Sequence, residues 1–112
     1  MAKLDLVQGT LDLLILKTLS RGPMHGYAIV RRIQAASNAA LQIEEGSLYP
    51  ALHRMERRGW ILSKWGLSEH NRRAKYYRLA RPGRLQLKAD ESTWERFTEA
   101  VSKVLQTAGK GA

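Results

Sequence analysis

Arginine is the residue type that this sequence concentrates in one place. Residues 54–84 carry ten Lys or Arg against two Asp or Glu, so this stretch holds +8 of the chain's formal charge of +9. Most of the ten are arginine, whose planar guanidinium fits phosphate oxygens and the major-groove edge of guanine. A solvated face usually mixes both signs of charge. The single-sign block therefore favours a polyanionic partner, which we expect to be double-stranded DNA.

Catalytic and metal-binding chemistry has no comparable support in the sequence. The absence of cysteine excludes a disulfide scaffold, a thiolate zinc site and a cysteine nucleophile. The three histidines lie on three different predicted elements without ligand spacing, and Glu44 and Glu45 are neighbours that cannot face each other. Neither G-x-S-x-G nor G-x-x-x-x-G-K occurs. We therefore expect no enzyme, no metal site and no cofactor.

Length and hydropathy set the organisation of the chain. Its 112 residues predict one domain with an appended helix. It has no run of about 18 apolar residues, so we expect no membrane segment. The first residues lack the charged, apolar and small order of a signal peptide. These observations favour a cytoplasmic location.

Three helices are predicted to position the basic residues. The first covers residues 8–19 with Thr10 as its N-cap, and the second covers residues 26–37 after a turn at 21–26. The third runs from about residue 45 to 58; we place Pro50 in its first turn, where proline costs no backbone bond, and Gly59 at its end.

A β-hairpin and a last helix complete the predicted elements. The β-prone runs 60–65 and 74–79 flank a polar, basic loop, and Tyr77 and Leu79 are expected to face inward. A helix then starts near Arg81-Pro82. The predicted fold is mainly α with a small β-hairpin: a winged helix-turn-helix domain at residues 1–80, a C-terminal dimerisation helix at 81–106 and a flexible tail at 107–112.

This architecture assigns DNA contacts to three regions. The third helix is expected to enter the major groove, with Arg54 as the preferred reader of guanine. The N-terminus of the second helix is expected to hold a phosphate, and the tip of the hairpin to lie on the backbone or in the minor groove. The predicted DNA-binding residues are Gly26, Tyr27, Ser47, Tyr49, Pro50, His53, Arg54, Arg57, Lys64, Arg72, Arg73 and Lys75.

Apolar residues in excess of one core predict a homodimer. The first helix is apolar around most of its circumference, so it must be covered on two sides. In the last helix, apolar residues continue at heptad spacing beyond the small domain. The predicted dimer interface comprises Leu11, Leu14, Ile15, Leu87, Trp94, Phe97, Val101 and Val104.

Several motifs follow one another along the chain: Leu11-Asp12-Leu13-Leu14-Ile15-Leu16, Gly22-Pro23-Met24-His25-Gly26-Tyr27, Gly46-Ser47-Leu48-Tyr49-Pro50-Ala51-Leu52, Glu56, Gly59 and Lys75-Tyr76-Tyr77-Arg78-Leu79. In this order they resemble the PadR family of transcriptional regulators, specifically the short subclass with one C-terminal helix and the branch often seen in acidobacterial genomes. One departure is Leu79-Ala80-Arg81-Pro82-Gly83, where many members read Leu-Thr-x-x-Gly.

The resemblance implies a dimeric winged-helix repressor that a small molecule often releases from DNA. It places Tyr49 on the recognition helix, Gly26 and Tyr27 at a phosphate, and Trp94 at the dimer interface beside a cavity for flat aromatic compounds. A filled interface at Trp94 is the alternative. The alternative for the whole chain is a winged-helix protein–protein interaction module without specific DNA binding, which the basic residues on both the third helix and the hairpin disfavour.

Overall fold

A computed structural model describes residues 9–111, with side chains from residue 9 to 107. The helices are α1 (Thr10–Leu19), α2 (Gly26–Ala36), α3 (Glu45–Arg57) and α4 (Arg81–Gly111). The strands are β1 (Met24–His25), β2 (Ile61–Leu67) and β3 (Arg73–Leu79), which form an antiparallel sheet in the order β1-β3-β2. The predicted winged helix-turn-helix fold with an added C-terminal helix is confirmed, and β2 and β3 form its wing.

The sheet contains one strand, β1, in a segment that is predicted from the sequence to be a turn. β1 is two residues long and pairs Met24 with Tyr77 and His25 with Tyr76. Because β1 leads directly into α2, this short pairing attaches the N-terminus of α2 to the base of the wing. Its brevity explains why residues 21–26 were predicted as a turn only.

Two details of the helix starts differ from prediction. Gly9 occupies the N-cap of α1 at a φ of 89°, and Thr10 is the first helical residue, so the assignment of Thr10 as N-cap is wrong by one position. Gln8 lies outside the described residues. Pro50 is the sixth residue of α3 and not part of its first turn. Proline has no N–H, so the usual bond to the Gly46 carbonyl is missing and the helix tolerates the gap.

The end of α3 follows the predicted stop at Gly59. This residue has a φ of 75°, which favours glycine. Its N–H donates to the Glu56 carbonyl and the Trp60 N–H donates to the Met55 carbonyl, both at 3.0 Å. These two bonds form a Schellman motif, which ends the helix and directs the chain into β2.

The core lies between α1, α2, α3 and the inner face of the wing. Its fully buried side chains include Leu16, Ile29, Leu48, Met55 and Ile61. Tyr77 and Leu79 face this core, as predicted, with 2% and 6% of their surfaces exposed. Ile15 (0% exposed) and Leu87 (7%) are also core residues, so their assignment to the dimer interface is wrong. The cause is that the domain's own helices already cover them.

α4 is anchored at its start and unsupported along much of its length. A Cβ at Gly83 would lie 2.0 Å from the Trp60 carbonyl oxygen, so only glycine permits this close contact. The helix continues to Gly111, past the predicted end at residue 106, so the boundary of the predicted tail at 107–112 is wrong; Ala112 lies outside the described residues. Beyond the domain, α4 exposes Trp94, Phe97, Val101, Val104 and Leu105.

Within residues 9–111, no helix combines the length and hydropathy needed to cross a membrane. The same part of the chain holds no group of three or more His, Cys, Asp or Glu side chains placed to bind a metal ion.

Candidate nucleic-acid interface

The outer face of α3 presents a small set of polar side chains to solvent. Leu48, Ala51, Leu52 and Met55 turn into the core. Helical spacing then places Pro50, His53 and Arg57 on the opposite side, and all three are exposed. They line one shallow groove together with Glu56. Among the described side chains Arg57 makes no ion pair, so its guanidinium is available to a base edge or a phosphate.

Arg54 lies to one side of this face and has an internal partner. Its Nη2 atom donates to Asp12 Oδ1 at 2.6 Å, which ties α3 to the first turn of α1. Arg54 and Asp12 expose 41% and 20% of their side chains. The residue predicted to read guanine therefore joins two helices of the domain, whereas Arg57 is exposed and makes no ion pair among the described side chains.

The N-terminus of α2 lies against α3 through Tyr49. His25 is the N-cap residue, and its Nδ1 accepts the Ala28 N–H at 3.2 Å. A Cβ on Gly26 would lie 3.0 Å from Tyr49 Oη and 3.1 Å from its ring, so glycine allows the tyrosine to approach. The phenol hydroxyl is thereby held at the positive end of a helix dipole, where anions are favoured.

A groove, here called the central groove, runs between α2, α3 and the inner face of the wing. It encloses about 510 Å³. Its floor and walls are His25, Gly26, Tyr27, Tyr49, His53, Trp65, Arg73, Ala74, Lys75 and Tyr77. Five of the predicted DNA-binding side chains and Gly26 therefore meet at one place, although they come from three separate elements.

The wing contributes stacked aromatic and cationic groups to this groove. The Arg73 guanidinium lies 4.4 Å from the centre of the Trp65 ring, and the Lys75 Nζ atom lies 5.7 Å from that of Tyr77. Trp65 is 55% exposed. Trp65 is not among the predicted DNA-binding residues; its alternation with Ile61 and Ser63 on the inner face of β2 is the sequence signal that could have indicated it.

Glu56 organises the junction between α3 and the wing. Its carboxylate accepts the Ser63 hydroxyl at 2.5 Å and lies 3.5 Å from Lys75 Nζ. It also faces Tyr77: burial raises the pKa of the Tyr77 phenol, and the charge of Glu56 and the nearby Tyr49 raise it further. A carboxylate that joins a helix to two strands fixes the angle at which α3 and the wing would meet a ligand.

Besides Arg54, three predicted DNA-binding residues lie outside the central groove and the outer face of α3. Ser47 is exposed near the start of α3. Lys64 is on the outer face of the wing, where it lines a small depression with Tyr76 and Arg78. Arg72 lies at the wing tip, in a different groove next to α2. The structure thus brings most predicted DNA-binding residues together and separates these three from them.

Known proteins are similar to this chain over most of its length. The profile of the "Transcriptional regulator PadR-like family" matches residues 15–89. The solved structure of a transcriptional regulator from Clostridium thermocellum superposes with a TM-score of 0.79 at 32% identity, covering 86% of this chain and 93% of that one. A PadR family transcriptional regulator from Eggerthella lenta gives a TM-score of 0.75 at 34% identity, covering 89% and 85%. An uncharacterized protein of Lysinibacillus sphaericus is 27% identical over 106 residues, which is 95% of this chain and 97% of that protein.

Proposed function

Because this chain belongs to the PadR-like family of transcriptional regulators, we propose that it binds a pseudo-palindromic operator as a homodimer and represses transcription. The observation that carries the proposal is the central groove beside the exposed face of α3. There a helix suited to a major groove and a basic wing stand on either side of the α2 N-terminus. Phosphates would be held by Tyr49, Arg73 and Lys75, and a base edge by Arg57.

The homodimer is supported by the free part of α4. Trp94, Phe97, Val101 and Val104 expose 38%, 56%, 39% and 66% of their surfaces. Burying a side chain of this size contributes about 1.5–3 kcal/mol, so a second copy of α4 is the economical cover. Leu11 and Leu14 on α1 are partly exposed and extend the same surface.

A flat aromatic effector is supported by the surroundings of Trp94. The Trp94 and Phe97 rings are 6.3 Å apart and tilted by 33°. A depression of about 290 Å³ is lined by Leu13, Asp90, Trp94 and Phe97. Such a site offers apolar surface for stacking and one carboxylate for orientation. We propose that a planar compound bound there shifts the dimer out of its DNA-binding geometry.

The test is binding of the purified protein to the DNA upstream of its own gene, with a scrambled duplex of the same composition as control. We expect preference for the upstream DNA and half-sites about 10 bp apart or a multiple of that distance. If each subunit neutralises about 3–4 phosphates, the plot of log K against log salt should slope at about −5 to −7. Equal affinity for both duplexes would overturn sequence-specific binding and favour a protein-interaction role.

A further inference from the structure

A second basic groove lies next to the central groove and, unlike it, is lined by no residue of α3. It is formed by the α2 surface, the segment that precedes β1, and the turn between β2 and β3, and it encloses about 1000 Å³. We call it the α2 groove. Its cationic side chains are Arg21, Arg31, Arg32 and Arg72. His25, Tyr27 and Ala74 line both grooves, so the two are adjacent.

The shape of the α2 groove follows from the pattern of residues on α2. Ala28 and Ala35 have small side chains and leave space, while Arg31 and Arg32 stand between them on the same exposed side. The Arg31 guanidinium lies 5.7 Å from the centre of the Tyr27 ring. This contact orients the Arg31 guanidinium along the groove and does not neutralise its positive charge. The opposite wall is the wing turn at residues 68–72.

The charge of the α2 groove is uncompensated within the described chain. Among residues 9–107, ion pairs are made by Lys17, Arg54, Lys75 and Lys103, and by none of the four groove arginines. Glu69 is the one acidic residue in the lining, and it forms no ion pair there. A groove with four arginines and one carboxylate concentrates positive potential where a polyanion can lie.

The position of this groove identifies the polyanion. A wing tip placed in a minor groove has a phosphate strand on each side, because the two backbones border that groove. The central groove is lined by α3 and the wing strands, so it would face one strand. The α2 groove is lined by the wing turn and α2 but by no residue of α3, so it would face the other strand, which leads away from the half-site.

We propose that the α2 groove binds the phosphate backbone of DNA flanking the operator, through Arg31 and Arg32 on α2, Arg21 in the segment before β1 and Arg72 in the wing turn. This inference rests on the proposed function and deepens it. Backbone contacts outside the half-site carry no sequence information but add affinity and salt dependence. The dimer would therefore protect more DNA than its two recognition helices and wings cover.

The test compares two duplexes carrying the same upstream site. One is the shortest duplex that retains preference over scrambled DNA, and the other adds 10 bp of unrelated sequence at each end. We expect the wild type to bind the long duplex about tenfold more tightly at low salt, with a salt slope steeper by about 2–4. The double variant Arg31→Gln, Arg32→Gln should bind both duplexes with the affinity that the wild type has for the short one.

The control is Arg84→Gln, Arg96→Gln, which removes the same charge at exposed positions of α4 and should keep the difference between duplexes. The pair Arg21→Gln, Arg72→Gln tests the segment before β1 and the wing turn, and it replaces the α2 variant if that one does not fold. The proposal is overturned if the wild type binds both duplexes equally, or if both groove variants keep the difference. A wild type that prefers upstream DNA but ignores the flanks would leave the proposed function intact. Equal binding to scrambled DNA would overturn both.

Discussion

Arg54 on α3 and Asp12 on α1 form a hydrogen-bonded ion pair, with 2.6 Å between Nη2 and Oδ1. The two residues are 42 positions apart in sequence. Asp12 also lies in the first turn of α1, where a carboxylate interacts favourably with the helix dipole. The pair therefore fixes α3 against the first helix of the domain, and it makes Arg54 a residue that positions the outer face of α3.

Arg54→Ala and Asp12→Asn are each expected to lower the free energy of unfolding by about 0.5–1 kcal/mol. The value is small because solvent screens a pair whose arginine is 41% exposed. Urea denaturation of both single variants and the double variant should show a coupling of similar size. Additive effects would contradict the pair, and a loss of sequence preference without loss of stability would restore Arg54 as a base reader.

Arg57→Ala is expected to cost about 1–3 kcal/mol on the upstream site and to relax preference at one base position. The reason is that Arg57 is exposed on the outer face of α3 and has no ion-pair partner among the described side chains. The loss of affinity and the change in base preference are measured by fluorescence-anisotropy titrations with single-base variants of the site. Arg58→Ala is the matched control. It removes the same charge from the neighbouring position, where the guanidinium packs over the Trp60 ring with 5.0 Å to the ring centre. Equal losses on upstream and random DNA would make Arg57 a backbone contact.

Glu56→Gln is expected to affect stability and binding in opposite directions. The variant weakens the contacts with Ser63 and Lys75, so the free energy of unfolding should fall by about 1 kcal/mol. It also removes a negative charge beside the central groove, so affinity for random DNA should rise while the ratio of specific to random affinity falls. Ser63→Ala separates the two effects, because it loses the hydrogen bond and keeps the charge. A specificity ratio unchanged in Glu56→Gln would refute this role.

The sequence predicted the elements well because their signals are local. Gly59 and the apolar spacing of α3 are read within one or two turns of helix, and the inward direction of Tyr77 follows from alternation along one strand. The ion pair of Arg54 joins residues 42 positions apart. Only the packed fold brings such groups together, and no local pattern encodes the contact.

The other wrong predictions also concern contacts between elements that are distant in sequence. Ile15 and Leu87 carry the correct apolar pattern, but a pattern does not show which of two apolar surfaces covers a side chain. β1 forms because two of its residues pair with the edge of β3. The β-propensity of so short a segment cannot predict this pairing. Several predicted DNA-binding residues line the central groove, because the outward face of α3 and the basic hairpin are both visible as local patterns; their role in binding DNA stays a prediction.

Tyr77→Phe is expected to make stability less sensitive to alkaline pH. The pKa of the Tyr77 phenol is raised by burial and by the charge of Glu56, so the folded state favours the neutral form. That contribution is complete below the unfolded pKa of about 10 and is lost as pH rises through the higher folded pKa. Unfolding free energies between pH 8 and 11 should fall more steeply in the wild type than in the variant. Tyr27→Phe, at a 59% exposed position, should follow the wild type, and identical curves for all three proteins would exclude the effect.

Phe97→Asp and Val101→Asp are expected to convert the dimer to monomers and to weaken binding to the upstream DNA. Each places a charge on the apolar side of α4 that is exposed in the single chain. Light scattering at tens of micromolar measures the change, and Ser92→Asp, exposed on the opposite side of the helix, is the control. Substitution is preferable to truncation after Arg84, because truncation would remove Leu87 from the core. A monomeric wild type would contradict the prediction.

The corner between the wing and α4 contains no linker. The Ala80 N–H donates to the Trp60 carbonyl at 3.0 Å, and Gly83 lies against the same oxygen. A hinge needs residues whose φ and ψ angles are free to change. Here the backbone between Ala80 and Gly83 is held at both ends by its contacts with the Trp60 carbonyl. In a dimer joined through α4, each DNA-binding domain would therefore move with its own helix as one rigid arm. The crossing angle of two such arms then sets the span between recognition helices, so a small rotation at the dimer axis is amplified into a mismatch with the helical repeat of DNA.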